Sequence, residues 1–113
     1  MITIYHNPRC SKSRQTLEFL KDKGIEPEVN LYLDSPPSAE KLTYLLQKLG
    51  LEANQLVRKS EAYYKENLKG LEITDNELID VMIKNPKLIE RPIVVAGDRA
   101  AIGRPPEAVL EII

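Results

Sequence analysis

Apolar and polar positions change period several times along the chain, and each change predicts an element. Ile2, Ile4 and Tyr5 form a short β-prone run ended by Asn7-Pro8. From Ser11 the spacing becomes helical, with Leu17, Phe19 and Leu20 ahead of a C-terminal cap at Gly24. Val29, Leu31 and Leu33 alternate between Glu28 and Leu33, a segment stopped by the strong turn signal Asp34-Ser35-Pro36-Pro37, which predicts a second strand. Ser38 can cap a helix whose Leu42, Leu45, Leu46 and Leu49 recur at i, i+3, i+4, i+7 and which ends at Gly50. The pattern is less regular between Leu51 and Gly70, with short helical pieces at Asn54 to Val57 and Glu61 to Asn67. Thr74-Asp75-Asn76-Glu77 is a capping box, followed by the stripe Leu78, Ile79, Met82, Ile83 and a stop at Asn85-Pro86.

Arg91-Pro92-Ile93-Val94-Val95 opens a third strand, Gly97-Asp98 suits a tight turn, and Arg99 to Ile102 can return as a fourth strand. Pro105 suits the first turn of a closing helix, with Glu107 near its positive end and Val109, Leu110 and Ile113 facing inward. The order β-α-β, several helices, β-β-α predicts an α/β fold in which a four-stranded mixed sheet is covered by helices. A single domain over residues 1–113 is expected, with a helical insertion over about 38–85.

Composition narrows the function more than the fold. Sixteen basic against seventeen acidic residues leave a net charge of −1, so no bulk field attracts nucleic acid or an anionic membrane, and any anion site must be local. One cysteine, Cys10, and one histidine, His6, exclude an internal disulfide and a structural zinc site. The first residues lack the basic region and apolar run of a signal peptide, and no stretch approaches the roughly 18 apolar residues of a membrane span. A cytoplasmic monomer with a reduced thiol is expected.

The candidate chemistry sits in Asn7-Pro8-Arg9-Cys10-Ser11-Lys12-Ser13-Arg14, which places the thiol in the loop leaving the first strand, at the amino end of the first helix. Unpaired N–H groups and the helix dipole there favour the thiolate, the nucleophilic form, and Arg9, Lys12 and Arg14 add positive charge. Cys10-Ser11-Lys12-Ser13 also has the shape of a C-x-x-C redox motif with serine in the resolving place, so a mixed disulfide at Cys10 needs a thiol from another molecule. The competing reading of a lone cysteine is a small packing residue, but Cys10 stands outside any apolar stripe among charged and hydroxyl neighbours. His6 can bond into the loop or support a thiolate, and Ser13 can donate to the sulfur or cap the helix. Arg58, Arg91 and Arg104 each lie at an element end, where functional loops gather, and the arginine fork suits tetrahedral oxyanions; spacing alone does not bring them together.

Ile4-Tyr5-His6-Asn7-Pro8 with Cys10, Ser13-Arg14 and Thr16-Leu17 resembles the opening of the glutaredoxin-dependent arsenate reductases, a thioredoxin-like family. The resemblance continues through Tyr32-Leu33, Pro36-Pro37, Leu56-Val57-Arg58-Lys59, Leu78-Ile79-Asp80, Arg91-Pro92-Ile93-Val94-Val95 and Gly103-Arg104-Pro105 with Val109-Leu110-Glu111-Ile112, so it covers essentially the whole chain. It implies a thioredoxin-like sheet and a cis Arg91–Pro92 bond. It further implies that Cys10 attacks arsenate, that Arg58, Arg91 and Arg104 bind the oxyanion, and that His6, Ser13 and Arg14 support the site. Glutathione as co-substrate, a glutaredoxin partner and no tightly bound cofactor or metal follow from the same resemblance. Relatives in that family also include thiol reductases of other substrates and regulators that bind RNA polymerase; the latter usually carry a full C-x-x-C, which Cys10-x-x-Ser13 lacks.

Overall fold

The apolar runs near the two ends of the chain meet in one sheet. In the computed structural model, which describes residues 2–113, strands β1 (Ile2–Tyr5), β2 (Glu28–Asn30), β3 (Ile93–Ala96) and β4 (Arg99–Ile102) lie in the order β2-β1-β3-β4. β1 pairs parallel with β2, Ile4 opposite Val29, and antiparallel with β3, Ile4 opposite Val94; β3 and β4 form a hairpin closed by Gly97-Asp98. Gly97 occupies that turn with φ 64°, a conformation costly for residues with a Cβ. This is the mixed α/β sheet expected from the sequence.

The chain divides into two units. The first, Met1–Ser35 with Arg91–Ile113, holds the sheet, helix α1 (Ser11–Asp22) and a 3-10 helix over Pro106–Glu111. Its core takes one fully buried side chain from each of four elements, Ile4 of β1, Leu20 of α1, Val94 of β3 and Val109 of the 3-10 helix, flanked by Ile2, Leu17, Phe19, Ile25 and Ile112. The Arg91–Pro92 bond is cis, as the family resemblance implies, and Arg104–Pro105 is cis as well.

The second unit, Pro36–Glu90, is helical. In α2 (Ala39–Leu49) the Ser38 hydroxyl accepts the Lys41 N–H at 3.1 Å, and Gly50 closes the helix with φ 69°. Short helices α3 (Ala53–Leu56) and α4 (Ala62–Asn67) follow, and α5 (Asp75–Lys84) starts from a complete Thr74/Glu77 capping box. Leu42, Leu45, Leu46, Leu78, Ile79 and Met82 are buried where α2 and α5 meet. No helix among the described residues is long and apolar enough to cross a membrane.

Two expectations fail, each for a geometric reason. The second strand ends at Asn30 because Leu31 begins a turn, its carbonyl accepting the N–H groups of Asp34 and Ser35; Val29 and Leu31 are therefore exposed and Tyr32 is buried. The closing segment is a 3-10 helix, so its repeat is three residues per turn and the inward positions are Pro106, Val109 and Ile112, while Leu110 and Ile113 face solvent. Urea unfolding distinguishes the two registers. Val109→Ala should lower stability by about 1–3 kcal/mol and Leu110→Ala by no more than about 0.5 kcal/mol; equal losses would restore an α-helical register.

Candidate active site

The loop carrying Cys10 is tied down residue by residue. β1 ends at Tyr5, but His6 still donates its N–H to the Asn30 carbonyl at 2.9 Å, so the chain leaves the sheet only at Asn7. There the Asn7 side-chain oxygen accepts the Arg9 N–H at 3.0 Å and its carbonyl accepts the Cys10 N–H at 3.0 Å, a local turn that asparagine favours. The Arg14 guanidinium reaches back to the Pro8 carbonyl at 2.9 Å and braces the loop. Cys10 then takes the extended N-cap conformation (φ −94°, ψ 122°) at the start of α1, its carbonyl accepting the Arg14 N–H.

The Cys10 side chain is only 7% exposed. Burial pushes its thiol pKa up. The Ser13 backbone N–H, the charge of Arg91, the Lys12 backbone N–H and a hydrogen bond from the Arg91 guanidinium all act the other way, and together they hold the thiol below its ordinary value. Arg104 adds a second guanidinium: its Nε donates to the Arg91 carbonyl at 2.8 Å and its Nη2 reaches the Cys10 sulfur at 3.5 Å. Two of the three arginines singled out by sequence thus converge on the thiol. A thiolate beside two cationic forks can attack an electrophilic centre whose oxygens the arginines hold.

Ser13, fully buried, directs its hydroxyl away from the sulfur. Ser13 Oγ accepts the Asn7 N–H at 3.0 Å and lies 2.6 Å from His6 Nδ1, so its contribution to the thiolate is made by its backbone N–H. Burial first, then the charges of Arg14 and Lys21, lower the His6 pKa, which favours the neutral ring. His6 is therefore a brace for the loop, not a positive partner for the sulfur. Arg58 belongs to the second unit. Its N–H donates to the Leu88 carbonyl at 2.7 Å, within a short antiparallel bridge between Val57 and Ile89, while its guanidinium donates to the Lys87 carbonyl at 3.3 Å and pairs with Glu61 at 3.5 Å.

Thr16 and Gly103 entered the sequence reading within the family resemblance, without a part of their own in the site. Thr16 is fully buried, and its hydroxyl donates toward the Lys12 and Gly103 carbonyls at 2.8 and 3.2 Å, joining α1 to the chain entering Arg104. A polar residue at an inward helix position, two turns of sequence after the cysteine, was the available signal.

A family model described as the ArsC family matches residues 5–112. The chain is 56% identical to the uncharacterized protein YfgD of Escherichia coli strain K12, over 99% of this chain and 96% of that one. It is 47% identical to an arsenate reductase of Haemophilus influenzae, over 99% and 98% of the two chains. Among solved structures, an arsenate reductase from Vibrio cholerae superposes with a TM-score of 0.96 at 52% identity, covering 99% of this chain and 97% of that one.

The neutral, buried state of His6 has a consequence for stability. Its folded pKa lies below its unfolded one, so the unfolded chain binds the proton more readily and stability falls as pH drops through about 6.5 towards the lower folded value. In urea titrations across that window the midpoint should decline more steeply for the native chain than for His6→Gln; parallel slopes would mean that His6 is not held neutral.

Proposed function

The chain belongs to the ArsC family and has its thioredoxin-like α/β fold, and on that premise we propose that it is an arsenate reductase with Cys10 as nucleophile. The observation that carries the proposal is the Cys10 thiol, held below its ordinary pKa with the Arg104 guanidinium 3.5 Å from its sulfur. A nucleophile of that kind suits a substrate with an electrophilic centre inside a shell of negative oxygens, which is what arsenate is.

In the reaction the Cys10 thiolate attacks arsenic, an As–S bond forms, and one arsenate oxygen leaves as water after taking up protons. Glutathione, as its thiolate, then attacks the Cys10 sulfur. An S–S bond forms, the As–S electron pair stays on arsenic, and As(V) leaves as As(III) arsenite. Cys10 remains as a mixed disulfide with glutathione. The chain has one cysteine and so no internal resolving thiol, and a glutaredoxin with a second glutathione returns Cys10 to the thiol. In this reading Arg91 and Arg104 hold the oxyanion and offset the charge that builds on its oxygens, Arg58 supplies a third guanidinium, and His6, Ser13 and Arg14 keep the loop in shape. No tightly bound cofactor or metal takes part, and the reaction belongs in a reducing cytoplasm.

Purified protein supplied with arsenate, glutathione and glutaredoxin should turn over steadily, and Cys10→Ser should abolish turnover while the chain stays folded. Arg58→Ala should lower kcat/KM by about tenfold or more, with Arg58→Lys recovering only part because lysine cannot supply the planar fork. No turnover by the native chain would refute arsenate as substrate, and unchanged kinetics in Arg58→Ala would remove that residue from the site.

A further inference from the structure

Gly103 is buried, and its conformation does not explain why it is glycine, since its φ is not positive. Space explains it. A Cβ at this position would overlap Thr16 Oγ1 and would lie 2.8 Å from Thr16 Cγ2 and 3.0 Å from Pro92 Cγ. None of the described residues' other glycines has an atom within 4 Å of such a Cβ.

The neighbours in this contact cannot yield easily. Thr16 is fully buried and β-branched, so rotating it clear of one clash swings its other branch into the same space, and its hydroxyl is engaged by the Lys12 and Gly103 carbonyls. Pro92 is a rigid ring, and the strand pairing fixes its distance from Gly103, whose N–H donates to the Pro92 carbonyl at 3.0 Å. The next residue is Arg104, which reaches both the Arg91 carbonyl and the Cys10 sulfur. A chain displaced at 103 therefore carries the Arg104 guanidinium away from the thiol.

We infer that Gly103 and Thr16 are a positioning pair: the bare glycine backbone lies against the Thr16 side chain, and this close approach sets where Arg104 meets the Cys10 sulfur. Neither residue touches the sulfur in the structure; both act through Arg104. The inference rests on the reading of Cys10 as the nucleophile, but it is tested without arsenate, so failure of the substrate reading leaves it standing and its own failure leaves the substrate reading untouched.

The test is the ratio of Cys10 alkylation rates by iodoacetate and by iodoacetamide in the full chain. Both reagents attack the same thiolate, so the ionised fraction cancels and the ratio reads the positive charge that receives the iodoacetate carboxylate. Gly103→Ala should lower the ratio by roughly tenfold, the scale of one charge-assisted hydrogen bond. Adding Thr16→Ala makes room for the new methyl but gives up the hydroxyl bond, so the double variant should recover to within about threefold of the native ratio, a non-additive result expected only of residues in contact. Thr16→Val, which keeps the branched shape but replaces the hydroxyl bonded to the Lys12 and Gly103 carbonyls with a slightly larger methyl, perturbs the same contact from the other side and should lower the ratio about threefold. An unchanged ratio in folded Gly103→Ala, a double variant as impaired as the single one, or an unchanged ratio in Thr16→Val would each overturn the inference.

Discussion

A thiol withdrawn from water is easier to keep protonated than ionised, because desolvation penalises the charged form. At Cys10 that penalty is the largest single influence, and it is outweighed only by several others acting together: two backbone N–H groups of the first turn of α1 and the guanidinium of Arg91. Burial then becomes useful. The charges that hold the thiolate act through protein more than through water, where they are less screened, and the sulfur meets few competing reagents.

Meeting this constraint depends on bringing distant parts of the chain together accurately. Cys10 and Arg104 are 94 residues apart in sequence, yet the antiparallel pairing of β1 with β3 and the β3–β4 hairpin put the C-terminal arginines beside the N-terminal helix. The core of the first unit supports that alignment by drawing one buried side chain from each of β1, α1, β3 and the 3-10 helix, Ile4, Leu20, Val94 and Val109. Polar links add finer control. His6 and Ser13 hold the loop before the helix, Arg14 ties the helix back to Pro8, and Thr16 joins the helix to Gly103. Most of these bonds involve backbone carbonyls or amides, so they fix where the chain runs.

Much of this was legible in the sequence because local chemistry controls it. The capping box at Thr74 and the Ser38 cap set helix starts through bonds between residues three apart, and the position of Cys10 after Asn7-Pro8 and ahead of a helical pattern marked it as the candidate nucleophile. Spacing left the arginines scattered; they joined one site only through the family resemblance, and the fold brings Arg91 and Arg104 to the sulfur through strand pairing that no local pattern encodes. The misreadings share one cause. Alternation at Val29, Leu31 and Leu33 matched a strand that a turn cuts short, and the Pro106–Glu111 segment tightened from an α to a 3-10 repeat, which moved Leu110 and Ile113 outward. Gly103 carried no role at the site in the sequence reading because sequence does not show what a missing side chain makes room for.

The ionisation of Cys10 itself bears most directly on this account. Thiolate absorbance in the near ultraviolet, followed against pH, reports it without substrate, and Cys10 is the chain's only thiol. The inflection should fall below that of the same cysteine in a short unfolded peptide and should rise when Arg91 is replaced by alanine. An inflection at or above the peptide value would mean that burial wins at Cys10, and would contradict the reading of this loop as a thiolate site.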